Sequence, residues 1–284
     1  MSGNIGSPSP IQPLSVGNVV SAGIRLYRSH LKDYFLLALK AYVWILVPIY
    51  GWGKCYALIA LISRLAFGEL VNQPESISSG ERFVNSRMWQ FLLMTLLMGF
   101  LGLGIVLGMA IVFGLFGFLS AVLIGGSGQQ ANPASVILLV AIAVIAGIGI
   151  FLGVFWFLTR FFLVDVPLAI EENIDATSSI SRSWELTEGY VWRIVLISFI
   201  TFLITIPIQI LVQIITSILQ VAFFAISGED SGLFALLYFV LVLALSFTSG
   251  AAIVPLWQAI KAVVYYDLRS RREGLGLQLR DREI

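Results

Sequence analysis

Four long stretches without a charged residue constrain this chain more than any other feature. They cover residues 89–124, 134–158, 194–226 and 233–260, and each exceeds the roughly 20 apolar residues that cross a bilayer core as a helix. Of the 284 residues, 58% are hydrophobic and 12% are charged, and the mean hydropathy is +0.95. Soluble domains carry about 25% charged residues, so this chain lacks the polar surface that a water-soluble fold needs. We therefore expect an all-α, polytopic membrane helix bundle.

Two shorter apolar segments, residues 34–50 and 55–70, raise the expected number of transmembrane helices to about six. One long kinked helix is the alternative to a hairpin here. Lys and Arg collect on the cytoplasmic side of a membrane. Six spans with both termini inside put most of these residues on that side, whereas merging the first two spans would put Arg82 and Arg87 outside or move the N-terminus to the other side. We predict six spans with cytoplasmic termini, in a bacterial plasma membrane or an internal membrane.

A short amphipathic segment precedes each pair of spans, at residues 16–31, 74–88 and 175–188. Ser15 fits the N-cap of the first segment, and Gly189 fits the end of the third. An apolar face with Arg nearby is typical of a helix that lies on the lipid headgroups. We therefore expect three units, each an interfacial helix followed by a transmembrane hairpin.

The same pattern gives the domain organisation. Residues 1–12 are polar and rich in Gly and Pro, so we expect a disordered tail without a cleavable signal peptide. Residues 13–268 form one integral membrane domain, and residues 269–284 form a basic cytoplasmic tail.

Signatures of catalysis and of metal or cofactor binding are sparse. No GxSxG, HExxH, CxxC or Walker A motif occurs, and the chain has one cysteine and one histidine. The pairs Gly104/Gly108 and Gly149/Gly153 have GxxxG spacing, which favours helix packing within the chain, with dimerisation as the alternative. The net charge of +1 gives no reason to expect a nucleic-acid partner. We expect no enzymatic activity, no metal and no cofactor.

Four polar residues within the apolar segments are candidates for a polar path. Lys40 and Arg64 lie within the first two spans without an evident acidic partner, and snorkelling to the membrane edge is the alternative role. Gln209 and Gln213, followed by Gln220, mark one face of the fifth span. Hydrogen bonding to neighbouring helices is the alternative to lining a pore.

The connection between the fourth and fifth spans is the most distinctive part of the chain. It combines Arg and Trp, which anchor a membrane protein at the interface, with acidic residues. Six of its side chains are candidates for contact with lipid headgroups or a partner protein: Arg160, Asp165, Arg182, Trp184, Trp192 and Arg193. A structural elbow that fixes the topology is the alternative.

Three segments resemble a known family. Residues 13–17 and 25–28 look like the opening, residues 171–193 like the central signature, and residues 265–274 like the C-terminal signature, of the membrane domain of glycerophosphoryl diester phosphodiesterases. In some relatives this domain precedes a phosphodiesterase domain, and in others it stands alone. Glu185 and Glu188 stand where relatives usually carry bases, and Gly276 and Gln278 replace acidic residues common in the tail.

The resemblance implies a membrane scaffold rather than a catalyst. The HRG element of the phosphodiesterase domain does not occur, since His30 is followed by Leu31 and Lys32. We therefore predict a non-catalytic accessory or scaffold protein for lipid or a partner at the cytoplasmic face, with membrane lipids, a membrane protein or a second copy as partners. A small transporter or channel is the alternative.

Overall fold

The computed structural model describes residues 14–125, 132–227 and 232–274, and these form ten α-helices. The predicted all-α class is confirmed for this part of the chain. The expected tail at residues 1–12 lies outside the described residues, as do residues 275–284 of the C-terminal tail, whereas residues 269–273 continue the last helix. The helices are α1 Val16–Ser29, α2 Leu31–Trp44, α3 Tyr50–Leu70, α4 Ile77–Ser86, α5 Met88–Gly125, α6 Pro133–Thr159, α7 Asp165–Ile170, α8 Ala176–Thr187, α9 Val191–Ser227 and α10 Gly232–Glu273.

Four of these helices, α5, α6, α9 and α10, are long and apolar enough to cross a membrane. They coincide with the four uncharged stretches of the sequence. The two further spans expected at residues 34–50 and 55–70 correspond to α2 and α3. Neither helix is both long and apolar enough to count as a candidate membrane span among the described residues. With 14 residues, α2 extends only about 21 Å at 1.5 Å per residue, less than the roughly 30 Å of a bilayer core.

A packed bundle occupies one end of the molecule. It contains α1 to α4, α7, α8, the beginnings of α5 and α9, and the second half of α10, and α3 contributes eleven buried residues to it. Its largest fully buried side chains include Phe91 of α5, Leu58 and Leu61 of α3, and Tyr265 of α10. The remaining lengths of α5, α6, α9 and α10 leave this bundle with their apolar side chains exposed. Such surfaces are expected where lipid replaces water as the solvent.

The three amphipathic segments form α1, α4 and α8. Ser15 caps α1 as predicted, because its side chain accepts a hydrogen bond from the Asn18 amide at 3.2 Å. Gly189 follows α8 with φ +77°, the left-handed conformation that the sequence predicted for the end of this helix. The buried residues of these helices contact protein: Val19 of α1 and Val84 of α4 are fully buried. The exposed residues of α1 and α8 are polar or glycine, whereas Ile77 of α4 is an exposed apolar residue.

The break between α2 and α3 is a tight turn. The two helices pack against each other, which excludes one continuous kinked helix. Ile49 has φ +62°, a conformation that β-branched residues rarely adopt. Gly51 is required next to it, since a Cβ there would lie 1.9 Å from the Trp44 carbonyl oxygen. Exposed apolar side chains surround the turn, including Leu46 and Trp52.

The expected packing of the two GxxxG pairs is wrong within the described residues. A Cβ built on Gly104, Gly108, Gly149 or Gly153 would meet no heavy atom within 4 Å. The reason is that α5 and α6 leave the bundle without a close helix against these faces.

Candidate functional site

The connection between α6 and α9 is held together by hydroxyl groups on one face of α8. The Ser183 and Thr187 hydroxyls donate to the Arg160 carbonyl oxygen at 2.9 and 3.1 Å, and the Ser179 hydroxyl donates to the Val164 carbonyl oxygen at 2.6 Å. The Arg160 carbonyl group, at the C-cap of α6, has no partner within its own helix, and the Ser183 and Thr187 hydroxyls supply one, whereas Val164 is the N-cap of α7. The sequence analysis missed this role, although their spacing of four residues was visible.

Arg193 joins both ends of the described chain. Its guanidinium donates to Asp267 Oδ2 at 2.5 Å and also to the Leu14 carbonyl oxygen. Arg271 donates to the same two groups, at 2.9 and 3.2 Å. The Leu14 amide in turn donates to Asp267 Oδ1 at 3.0 Å. Arg193 is therefore engaged in ties between α9, α10 and the start of α1.

Arg182 is likewise engaged. It contacts Glu171 Oε1 at 3.3 Å and forms a second ion pair with Glu273 at the end of α10. The Tyr265 hydroxyl donates to the same Glu171 oxygen. Burial lowers the pKa of Arg182, but Glu171 and Glu273 outweigh it, so the net pKa is raised above its ordinary value. This side chain stays charged and paired.

Arg160 has a different environment. It is 4% exposed, its Nε has no hydrogen-bond partner, and it forms no ion pair within the described residues. Its guanidinium lies 4.2 Å from the ring centre of Trp184, which packs edge-on against Phe157 of α6. Burial lowers the pKa of Arg160; Glu188 opposes this effect and Arg272 adds to it. Arg160 and Trp184 thus form a cation–π contact, while Trp192 is 62% exposed and apart from them.

Lys40 and Arg64 have the acidic partners that the sequence did not reveal. Lys40 Nζ lies 2.7 Å from Glu81, and Arg64 Nε lies 2.6 Å from Glu75. Both acids come from the segment of α4, which folds back along α3. This position also explains why Gly80 lies directly against Leu61. The expectation of unpartnered bases was wrong because it considered only acids at the ends of spans.

The glutamines of α9 do not line a shared path with these bases. Gln209 donates to Thr205 of its own helix at 3.3 Å. Gln213 and Gln220 are exposed, and their side chains form no hydrogen bond with any described residue. The four candidates for a polar path are thus separated, and none of them lines the cavity described next.

A cavity of about 850 Å³ opens between α2, α3, α5 and α10. Its walls are mainly apolar and aromatic, and they include Tyr42, Ile45, Tyr56, Ile59, Met94, Met98, Ile253 and Trp257. Its volume falls within the range of about 300–1,000 Å³ that is usual for small-molecule sites. Asp165, Gln258 and Lys261 lie together among its lining residues and form its polar part.

The polar part of the cavity contains one unsatisfied acceptor. Lys261 Nζ donates to both carboxylate oxygens of Asp165, at 2.9 and 3.1 Å, and Gln258 Nε2 donates to Oδ2 at 2.8 Å. Gln258 Oε1 is buried without a partner. A buried amide oxygen in this condition costs about 1–3 kcal/mol. Because Oε1 itself has no accessible surface, a donor in the cavity reaches it only if the Gln258 amide turns toward the cavity.

Asp165 is the one member of the predicted elbow among the residues that line this cavity, and the sequence analysis had not singled out Gln258 or Lys261. The sequence did contain a hint of this site, because Gln258 and Lys261 are polar residues three positions apart, within one helical turn, at the end of the last apolar stretch. No group of His, Cys, Asp and Glu able to hold a metal ion occurs among the residues that the structure describes. Comparisons with protein-family models, curated proteins and solved structures found no match.

Proposed function

We propose that this chain is a non-catalytic integral membrane protein that binds a membrane amphiphile in the cavity between α2, α3, α5 and α10. The observation that carries the proposal is a largely apolar cavity whose lining includes the polar cluster of Asp165, Gln258 and Lys261, in which Gln258 Oε1 is buried without a partner. The ligand class that fits is a lipid whose headgroup carries a hydroxyl, amine or amide donor. Its donor meets Gln258 and its hydrocarbon lies along Tyr56, Met98 and Trp257.

We base the proposed placement in the membrane on the exposed apolar helix surfaces and on the distribution of Lys and Arg. The outer lengths of α5, α6, α9 and α10 cross the bilayer, and the short α2–α3 hairpin enters it with its apolar turn. Six segments thus enter the membrane as three hairpins, and both termini lie on the side where Lys and Arg collect, the cytoplasm. The polar sides of α1, α4 and α8 face the headgroups there. The cavity's polar part lies beside that same layer, next to the end of α6.

An accessory or scaffold role fits this placement. The resemblance to the membrane domain of glycerophosphoryl diester phosphodiesterases supports it, as does a bundle that ties the start of α1 to α9 and α10. The protein would hold a lipid at the cytoplasmic face of a bacterial membrane for a partner rather than transform it. The transporter or channel alternative has less support, because Lys40 and Arg64 are paired with acids.

The test is lipid retention. The protein is transferred gently from its own membrane into nanodiscs, and the lipids and proteins retained with it are identified by mass spectrometry. Two variants remove different parts of the cavity. Gln258→Leu removes the unsatisfied acceptor, and Gly99→Phe adds a ring to the apolar lining at a position where a Cβ meets no heavy atom within 4 Å.

We expect one lipid class to be enriched on the wild-type protein and to be lost from both variants. Gln213→Leu is the matched control, because it removes the same amide from an exposed position outside the cavity. No enrichment on the wild type, or an unchanged lipid on both cavity variants, would refute the proposal. A stoichiometric protein that is retained by wild type and lost from both cavity variants would identify the partner.

A further inference from the structure

Arg160 is buried at the end of α6 without a carboxylate that balances its charge. Only 4% of the residue is exposed, and its guanidinium forms neither an ion pair nor a hydrogen bond with any residue that the structure describes. Glu188 acts on it electrostatically, but this carboxylate is 68% exposed and forms its own ion pair with Arg272 at 3.9 Å. A buried charge without a counter-charge is unfavourable. The guanidinium therefore favours the approach of an anion.

The end of this guanidinium is open to an acceptor. Nε is fully enclosed, whereas Nη1 and Nη2 are not, and neither of them has a hydrogen-bond partner among the described residues. The rings of Trp184 and Trp156 cover the group, with their centres 4.2 and 5.7 Å from its central carbon. An indole stabilises a cation through its ring but offers no oxygen or nitrogen acceptor. The Nη groups therefore keep their hydrogen-bonding capacity.

Arg272 supplies a second guanidinium beside the first. Its positive charge lowers the pKa of Arg160, in the same direction as burial, so the two groups are close enough to repel each other. Arg272 donates to the carbonyl oxygen of Glu188, the C-cap of α8, at 2.6 Å, and its side chain is 34% exposed. Two guanidinium groups beside one exposed carboxylate leave an excess of positive charge. Guanidinium groups match the oxygens of a phosphate in geometry as well as in charge.

The position of Arg160 along α6 places this charge beside an apolar surface. Trp156 and Leu158, in the last turn of the helix, are 39% and 43% exposed. They belong to a helix that is long and apolar enough to cross a membrane, and Arg160 is its C-cap. Lipid headgroups lie at the end of such a helix, where Trp and Arg are typical. Arg160 is not among the residues that line the cavity, so this site does not depend on the proposed function.

We infer that Arg160 and Arg272 together bind a phosphate group at the end of α6. One phosphate oxygen accepts hydrogen bonds from the Nη groups of Arg160, and another accepts from Arg272. The exposed apolar surface at Trp156 favours the phosphodiester of a phospholipid in the surrounding bilayer as the source, because the acyl chains then lie along α6. The alternative source of the same group is free phosphate.

Ligand counting on the full chain tests the site. The protein is stripped of lipid in dodecyl maltoside, which contains no phosphate, and binding is measured by native mass spectrometry. The ligands are phosphatidylglycerol, a galactolipid with the same acyl chains and no phosphate, and inorganic phosphate. Arg160→Met and Arg272→Gln each remove one guanidinium, and the partly exposed Arg272 keeps the test open if Arg160→Met does not fold. Arg25→Met is the matched control, because Arg25 is exposed on α1 and has no ion pair with a described residue.

We expect wild type to bind one phosphatidylglycerol more tightly than any further lipid. This affinity should fall about tenfold in Arg160→Met and several-fold in Arg272→Gln, and should change by less than about twofold in Arg25→Met. Binding of phosphatidylglycerol but not of inorganic phosphate would assign the group to a lipid, and Arg160-dependent binding of inorganic phosphate would assign it to free phosphate. Equally tight binding of the galactolipid, or unchanged binding in both Arg160→Met and Arg272→Gln, would overturn the inference.

Discussion

The ion pair between Asp165 and Lys261 gives the sharpest test of how the bundle is held together. The pair is largely removed from water, since the side chains are 12% and 19% exposed. Removing one partner of a buried pair leaves an uncompensated charge and typically costs about 3–5 kcal/mol. Because both side chains keep some access to water, we expect Lys261→Met to lower the free energy of unfolding by about 3 kcal/mol. Methionine keeps most of the aliphatic length and removes the charge.

A double-mutant cycle separates the pair from its surroundings. Asp165→Asn keeps an acceptor for Gln258 and removes the opposite charge. If the charges stabilise each other, the double variant Asp165→Asn/Lys261→Met should lose about 2 kcal/mol less than the sum of the single variants. The free energies are measured by equilibrium unfolding in mixed micelles, followed by tryptophan fluorescence, with lipid removed so that ligand binding does not contribute.

Lys54→Met is the matched control for this cycle. Lys54 Nζ lies 4.1 Å from the ring centre of Trp44, near the turn between α2 and α3, and forms no ion pair within the described chain. A partly exposed cation–π contact is worth about 0.5–1 kcal/mol, so the control should lose far less than Lys261→Met. A loss below 1 kcal/mol for Lys261→Met, or strict additivity in the cycle, would refute the reasoning about the buried pair.

Two further predictions concern local structure. Gly23→Ala would place a Cβ 2.4 Å from Ile260 Cγ1, so we expect a loss of about 1–2 kcal/mol in the same unfolding assay after the gain in helix propensity; Gly108→Ala, in open space, should lose nothing. Hydrogen bonds from Ser178 and its neighbour lower the pKa of Asp175 to about 2. The ionised Asp175 carboxylate therefore stabilises the start of α8 fully above its ordinary pKa near 3.8, and this stabilisation is lost as the pH falls through about 2. Asp175→Ala should speed exchange of the Ser178 amide at neutral pH, and its difference from wild type should shrink as the pH falls from 4 to 2; a pH-independent difference would contradict this.

Local signals in the sequence were sufficient to predict the helices and their ends, but not which helices pack against each other. Ser15 and Gly189 mark helix ends through interactions that involve only adjacent residues, so their roles could be predicted. The absence of charge over residues 89–124 likewise predicts one long apolar helix. These features depend on the chain within a few residues, where spacing and side-chain chemistry are directly visible.

Contacts between distant parts of the chain could not be predicted, because the periodicity of the sequence does not show how the helices turn back on one another. Glu75 and Glu81 reach Arg64 and Lys40 only because α4 turns back along α3. The sequence placed this segment at the membrane surface, so its acids were not considered as partners for bases in the spans. The cavity was missed for the same reason, since its walls combine the α2–α3 pair with α5, α7 and α10, which lie far along the chain from that pair and from one another.

The distribution of charges at the end of the bundle favours the cavity over Arg182 and Arg193 as the lipid site. A lipid phosphate that approached Arg182 or Arg193 would compete with Glu171 or Asp267, carboxylates that already form ion pairs with these side chains. Breaking a partly buried ion pair would oppose such binding. Gln258 Oε1 has no existing partner, so a lipid donor that reached it after a turn of the Gln258 amide would satisfy a buried acceptor. Arg182 and Arg193 therefore act first as ties between helices, and under the proposed function any specificity for a headgroup would arise at the cluster that contains Gln258.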